Sequence, residues 1–364
     1  MTSTPRRLLT VCLLAAALWL LWQGAQFFQR IFPDRSHAMI PALEQLQTFC
    51  VGRLLIDLPK GTTVSSASGF GGAADPAGFE AESPVAYRNY EFRMARRWQE
   101  IEALKIDDAT HSPYVKPSQQ TFPLDGAVLF TYGHVMLDGP DVHGREYERL
   151  YHDSEAYLWR DDTLYSFRAN SSPSAIVETM KALRPRADDA IPTEAGFCGP
   201  SSFFPGGGYQ PESVHVIFHL PGASGLALTV ETSTSSDPDN LPSEPPRPDF
   251  TFFKSDDFDG KVHRDAKRTV AGREGVEWGM GTTQRRLKSY ETISRLRWFT
   301  PGKARSPDFP KITITLSVSY KTGDPPSPWG GFPAKSDSDA IDEETFMTYW
   351  DVLLDTLRLR PGAV

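Results

Sequence analysis

Cysteines, histidines and paired carboxylates are the residues through which this chain of 364 residues could do chemistry, and their spacing limits what that chemistry could be. Of the three cysteines, Cys12 lies in an apolar N-terminal run, while Cys50 and Cys198 stand in two similar settings, Phe49-Cys50-Val51-Gly52 and Phe197-Cys198-Gly199. In an oxidising compartment such a pair forms one bridge joining two domain starts. Equally, the two thiols read as small buried hydrophobes that never meet, because free cysteine is often buried. Of the eight histidines only His215 and His219 are close, four apart in Val214-His215-Val216-Ile217-Phe218-His219. On a strand both point to one face and could approach a metal, but no third ligand lies nearby, and a solvent-facing strand is the preferred reading. The doublets Asp161-Asp162, Asp188-Asp189 and Asp256-Asp257 have the composition of acid/base pairs. Each falls in a predicted turn or linker, where carboxylates cap and solubilise.

Activated nucleophiles are missing. A nucleophile elbow needs Gly-x-Ser-x-Gly to lift a serine above a sheet, and Gly222-Ala223-Ser224-Gly225 lacks that spacing. There is no His-Glu-x-x-His and no glycine-rich phosphate loop followed by Lys-Ser/Thr. No catalytic residue, cofactor site or metal site is therefore assigned.

The elements that would position these residues come in two series. Phe49 to Gly61 is a Phe-Cys pair, an apolar run ending in Leu58-Pro59, and a glycine. Phe197-Cys198-Gly199 restates the opening, and Val214 to Gly222 restates the strand with its Leu220-Pro221 stop, which leaves Pro200 to Ser213 as an insert in the second copy. Ser65 to Pro84, rich in Gly, Ala and Ser, reads as a loop. Tyr87, Tyr90, Met94, Trp98, Ile101 and Leu104 recur at helical spacing, which predicts an amphipathic helix within Val85 to Ile106. Ala127 to Leu137, Arg145 to His152, Glu155 to Trp159 and Thr163 to Arg168 read as an antiparallel meander. Pro173 opens a helix through Leu183. In the second series Leu226 to Glu231 and Ile312 to Tyr320 are strands, and Ile341 to Leu359 is a helix. Leu359-Arg360-Pro361 closes it as Leu183-Arg184-Pro185 closes the earlier one. The expected fold is α+β, with two related domains, each an antiparallel sheet with packed helices. They span residues 49–186 and 196–364, joined by an acidic linker, 187–195, and preceded by a tether, 36–48.

Residues 1–35 read as an address. Arg6 and Arg7 precede the run from Leu8 to Trp22, which continues to Phe28. Arginines on that side keep the N-terminus in the cytoplasm, so the chain beyond the run is exported. Bulky Trp19, Trp22, Phe27 and Phe28 occupy the place of a small-x-small cleavage site. An uncleaved inner-membrane transmembrane helix is the favoured expectation, with a soluble periplasmic protein after signal cleavage as the alternative. A net charge of −8 without a basic run excludes nucleic acid as partner, and it leaves room for a basic protein.

Two stretches suit a protein partner better than a core. One holds Phe203, Phe204 and Tyr209 around Gly206-Gly207-Gly208; the other holds Trp329 and Phe332 between Pro325 and Pro333. Aromatic side chains on such loops are what interface anchors look like. Loops that fold back over their own aromatics are the competing reading.

With these residues in view, the chain resembles the two-domain immunity proteins that protect bacteria from type VI secretion phospholipase effectors. The likeness is carried by Cys50-Val51-Gly52-Arg53 running into Ile56-Asp57-Leu58-Pro59, by Gly196-Phe197-Cys198-Gly199, and by Gly272, Gly275 and Glu277. That family follows its second-domain cysteine at once with a short polar-Gly-Gly element and a strand, where this chain has Pro200 to Ser213. The resemblance implies a non-enzymatic toxin-neutralising protein of the periplasm that binds a cognate lipase effector and blocks its active site or lid. Against it stand two other classes, a periplasmic enzyme and an envelope-anchored structural component of a secretion or assembly machine.

Overall fold

The computed structural model describes residues 40–71, 77–104, 118–140, 146–167, 172–234, 258–285, 290–322 and 341–364. The chain divides after Glu44. Before that point the described residues contain one 3-10 turn, Pro41–Leu43. The expected membrane helix of residues 1–35 lies outside the described residues, among which no helix is long and apolar enough to cross a membrane.

Residues 45–364 form the second unit. Its first half runs β1 (Leu46–Val51), β2 (Leu54–Pro59), β3 (Thr63–Phe70), β4 (Phe79–Glu82), helix α1 (Tyr87–Glu102), β5 (Gln119–Thr121), β6 (Ala127–Pro140), β7 (Glu146–Arg160), β8 (Thr163–Phe167), helix α2 (Pro173–Ala182) and β9 (Arg184–Pro185). The second half runs β10 (Gly196–Gly199), β11 (Ser202–Pro205), β12 (Ser213–His219), β13 (Ala227–Ser233), β14 (Phe258–Val270), β15 (Arg273–Arg285), β16 (Tyr290–Thr300), β17 (Lys311–Thr322), helix α3 (Glu343–Asp355) and β18 (Arg358–Leu359).

Local chemistry places the helices. Ser172 caps α2 by accepting from the Ala175 N–H, with Pro173 at the first helical position. Asp342 caps α3 through the Thr345 N–H at 2.7 Å, with Glu343 and Glu344 in the first turn where the helix dipole favours them. The apolar stripe of α1 buries Tyr90, Met94 and Ile101 against Val128, Phe130, Tyr132 and Leu164, and Trp98 stacks on Phe130 at 5.7 Å. Phe346, Tyr349, Trp350, Leu353 and Leu354 of α3 are all at most 1% exposed. At roughly 1.5–3 kcal/mol per fully buried large apolar side chain, that face, rather than helix propensity, holds α3 in place.

All strand pairs are antiparallel, and the described strands form three sheets, ordered β1-β2-β18, β10-β11-β9 and β14-β15-β16-β17-β13-β12-β3-β4-β8-β7-β6-β5. Outward from the central β3–β12 pair the two wings follow one order: first, second, sixth, fifth, fourth and third strand of each series. The small sheets are wired crosswise. Each is a cysteine-bearing hairpin completed by the two-residue strand after the other half's helix, β18 for the first hairpin and β9 for the second.

This topology corrects several sequence expectations. Ser65 to Pro84 is not one loop: β3 runs into it as far as Phe70, and β4 lies within it. Small residues have weak strand propensity, and here the long ladder to β12 supplies what local preference does not. The expected strands Arg145 to His152 and Glu155 to Trp159 are not separate: from Glu146 on, both lie in one strand, β7. The insert, Pro200 to Ser213, contains β11, which stands to β10 as β2 stands to β1: Cys198 faces Phe203 as Cys50 faces Leu55. In that register Phe204 and Pro205 stand where Ile56 and Asp57 stand, so β11 ends before any counterpart of Leu58-Pro59, and β12, which ends before Leu220-Pro221, matches β3 instead.

Candidate functional site

The seam where the two halves join is built around a turn that needs glycine. Gly52 has φ +62, and a Cβ there would collide with Thr232. Its N–H donates to the Cys198 carbonyl at 2.8 Å, and the Cys198 N–H donates back at 2.8 Å. Cys50 and Cys198 are joined by a disulfide with Cα atoms 5.9 Å apart. Together with Leu55 and Phe203 they form a buried apolar cluster.

Around that cluster two arginines, Arg53 and Arg360, are buried and a third, Arg186, is half-buried. Arg53, 2% exposed, donates to both carboxylate oxygens of Glu212 (2.6 and 3.2 Å), to the Gly208 carbonyl, and to the Ala363 carbonyl. Burial holds the Glu212 carboxyl above its ordinary value, against the opposing pull of Arg53. Arg186 donates to the carbonyls of Cys50, Ala187, Asp188, Ala190, Gly199 and Ser202. Arg360 donates to those of Pro192, Glu194 and Gly196 and lies over the Phe203 ring. Burial pushes both guanidinium groups down, but arginine stays charged in proteins. The linker is thus fixed by carbonyls that wrap two cations.

Beside the disulfide opens a cleft of about 250 Å³. Its walls are β3 at Val64, Ser65, Ser66 and Ala67 and the end of β4 at Ala81, Glu82 and Ser83. Phe49, the disulfide, Gly199, Pro200, Ser201 and Arg186 also line it. Its lining contains serines but no histidine, lysine or tyrosine. Glu82 is held by Arg93 at 2.7 and 3.0 Å, and Asp188 accepts from the Ser201 hydroxyl at 3.2 Å. The arrangement suits contact with a partner better than activation of a nucleophile.

Of the aromatic residues read as partner anchors, Phe203 and Phe204 are corrected to core residues, 4% and 2% exposed. They sit on β11 as the counterparts of Leu55 and the residues beside it, so the small sheet draws them inward. Tyr209 is half-buried just beyond them. Trp329 and Phe332 lie outside the described residues. His215 and His219 both project from the solvent side of β12. Among the described residues no three His, Cys, Asp or Glu side chains are grouped to hold a metal ion. Sequence reading missed the open edge of β3 and the Arg53–Glu212 pair. The first hid in a glycine- and serine-rich stretch, and the second joins residues 159 apart.

Residues 190–362 match the family model of the Tle cognate immunity protein 4 C-terminal domain. Comparison with the curated proteins returns no match. Among solved structures, the immunity protein TplEi of the type VI secretion system from Pseudomonas aeruginosa, complexed with "L" peptide, is similar at TM-score 0.56 and 20% identity, covering 87% of this chain and 98% of that one. Its apo structure matches at TM-score 0.56 and 19% identity, covering 87% and 97%. The Tle4-Tli4 complex contributes a chain similar at TM-score 0.58 and 20% identity, again covering 87% and 98%. At such identity these likenesses establish a shared fold, and it extends over nearly the whole length of the solved chains.

Proposed function

We propose that this chain is an immunity protein, without chemistry of its own, that binds and neutralises a cognate type VI secretion phospholipase effector by covering its active site or holding its lid. The match of residues 190–362 to an immunity-protein domain carries this reading. A relative of the same fold is found in a Tle4-Tli4 complex, and another is complexed with a peptide, which supports function through protein contact. We further propose two related domains, 49–186 and 196–364, joined by the linker 187–195 and acting as a clamp. They work in the periplasm, held at the inner membrane by an uncleaved helix in residues 1–35 where phospholipids are attacked. Tyr209, Trp329 and Phe332 remain the proposed aromatic contacts.

The test mixes the exported part, from Ser36, with the lipase encoded beside it. Stoichiometric loss of lipase activity with a co-eluting complex on a sizing column is the expected result. Full lipase activity and no complex would sink the reading.

A further inference from the structure

The inference concerns how the partner is gripped, and it rests on the immunity reading. On one side β3 is laddered along its length to β12, from Phe70 opposite Ser213 to Thr63 opposite His219. On the other side it meets β4 at only two positions, Ser68 opposite Glu80 and Gly69 opposite Phe79. Beyond these β4 continues along β8, with Ala81 opposite Tyr165 and Glu82 opposite Leu164, and leaves β3 behind. Between the diverging strands, the β4-facing edge of residues 64–67 has no strand partner among the described residues. A bulge at Ser65, whose hydroxyl donates to the Ile217 carbonyl, bends this stretch where pairing stops. Four residues at about 3.3 Å each give ~13 Å of free main-chain donors and acceptors.

Exposed strand edges template pairing with another chain, and proteins guard them with lysine, proline or inward charge. This edge reads Val64-Ser65-Ser66-Ala67: it carries no lysine, proline or charge, and its one protective feature is the bulge at Ser65. Val64 is 36% exposed and both serines are exposed. The opening is a slot inside a sheet rather than the outer edge of one, with β4 opposite and the disulfide among the groups that line it. A strand still paired within another sheet would strike β4, so the slot selects a single extended segment over the sheet edge of a second copy. We infer that residues 64–67 of β3 receive an extended segment of the effector as an added strand. Main-chain hydrogen bonds supply the grip, and the small serine and alanine side chains leave room for the segment's own.

Hydrogen exchange on the full chain, alone and with the lipase encoded beside it, reads this directly. The amides among residues 64–67 that face β4 should exchange at least tenfold more slowly in the complex. Neighbouring residues of an antiparallel strand alternate the direction of their N–H groups, so Ser66→Pro and Ala67→Pro are made separately. The variant whose lost N–H faced β4 should keep its melting temperature and lose at least tenfold in effector affinity. Ser66→Lys, a charge guard on the solvent side, should weaken binding in the same direction. Normal complex formation without slowed exchange at 64–67, or a fully folded Ser66→Lys variant that binds like the unaltered chain, overturns the strand addition while sparing the immunity reading. Slowed exchange in the chain alone, with a dimer on the sizing column, would assign the slot to a second copy and overturn it too. Failure of the unaltered chain to bind the lipase removes the immunity reading, and this inference with it.

Discussion

Cys50 and Cys198 each stand opposite an apolar residue of their own hairpin, so the bridge fastens two small sheets that are 148 residues apart in sequence. Constraining so long a loop in the unfolded chain is worth up to about 5 kcal/mol in the chain-entropy view. Cys50→Ser with Cys198→Ser should lower stability by several kcal/mol, read from urea midpoints with and without reductant. A negligible shift would mean that the reciprocal Gly52–Cys198 backbone bonds hold the seam unaided. Arg53 and Glu212 make a buried pair, and removing one partner leaves a charge with no compensation. Arg53→Met should therefore cost about 3–5 kcal/mol, and Arg53→Met with Glu212→Leu should recover much of it. Glu212 binds its proton more tightly folded than unfolded, so its contribution is present at low pH and lost as pH rises past the ordinary value of 4.5. The loss in Arg53→Met should consequently be larger at pH 7 than at pH 5, measured by thermal melts. At this scale the sequence was informative about the cysteines as a matched pair, but Glu212 could not be found there. A buried partner for Arg53 so far along the chain leaves no local pattern.

Elements are pinned by carboxylates whose titration predicts an acid response. Arg358 of β18 donates to both carboxylate oxygens of Asp57 on β2 at 2.9 Å. Burial pulls the Asp57 carboxyl up, but Arg358 and Thr48 outweigh it and hold it below its ordinary value. On α3, Glu343 accepts from Lys261 at 2.5 Å and lies 3.0 Å from His263 of β14. Burial raises Glu343, yet these partners bring it below its usual range, while burial pushes His263 down against the pull of Glu343. Each sign gives loss on acidification. The unfolded chain takes up the histidine proton first as pH falls below 6.5, and the two carboxylates follow below 4.5 and 3.8. His263→Gln should flatten the first of these steps in melting temperature against pH and leave the Asp57 step. If the first step survives, another group is responsible. Elements with strong periodicity were legible: α1, α2 and α3 fall inside the stretches predicted for them. Strands β3 and β4 were not, because Gly, Ser and Ala carry little strand preference and it is β12 that makes β3 a strand. The repeat register also slipped. Leu220-Pro221 resembles Leu58-Pro59 in letters, whereas the ladders make β12, which runs up to Leu220, the counterpart of β3 rather than of β2.

For the molecule as a whole, a net charge of −8 predicts steered encounter with a basic partner. Reversing exposed acidic side chains should slow association with the effector at low salt, with little change in dissociation. Identical association rates would refute steering. Long-range order was the least legible property of the sequence, since matched landmarks announce duplication but not how copies join. The crossed wiring of the small sheets has a consequence for descent as well as for stability. A lone half would have an unfinished hairpin and a spare tail, the arrangement from which swapped homodimers are made. The present chain has the connectivity of such a dimer with its two subunits spliced head to tail. Two fragments divided within residues 187–195 should therefore find each other when co-expressed and assemble one to one, each supplying the strand the other lacks.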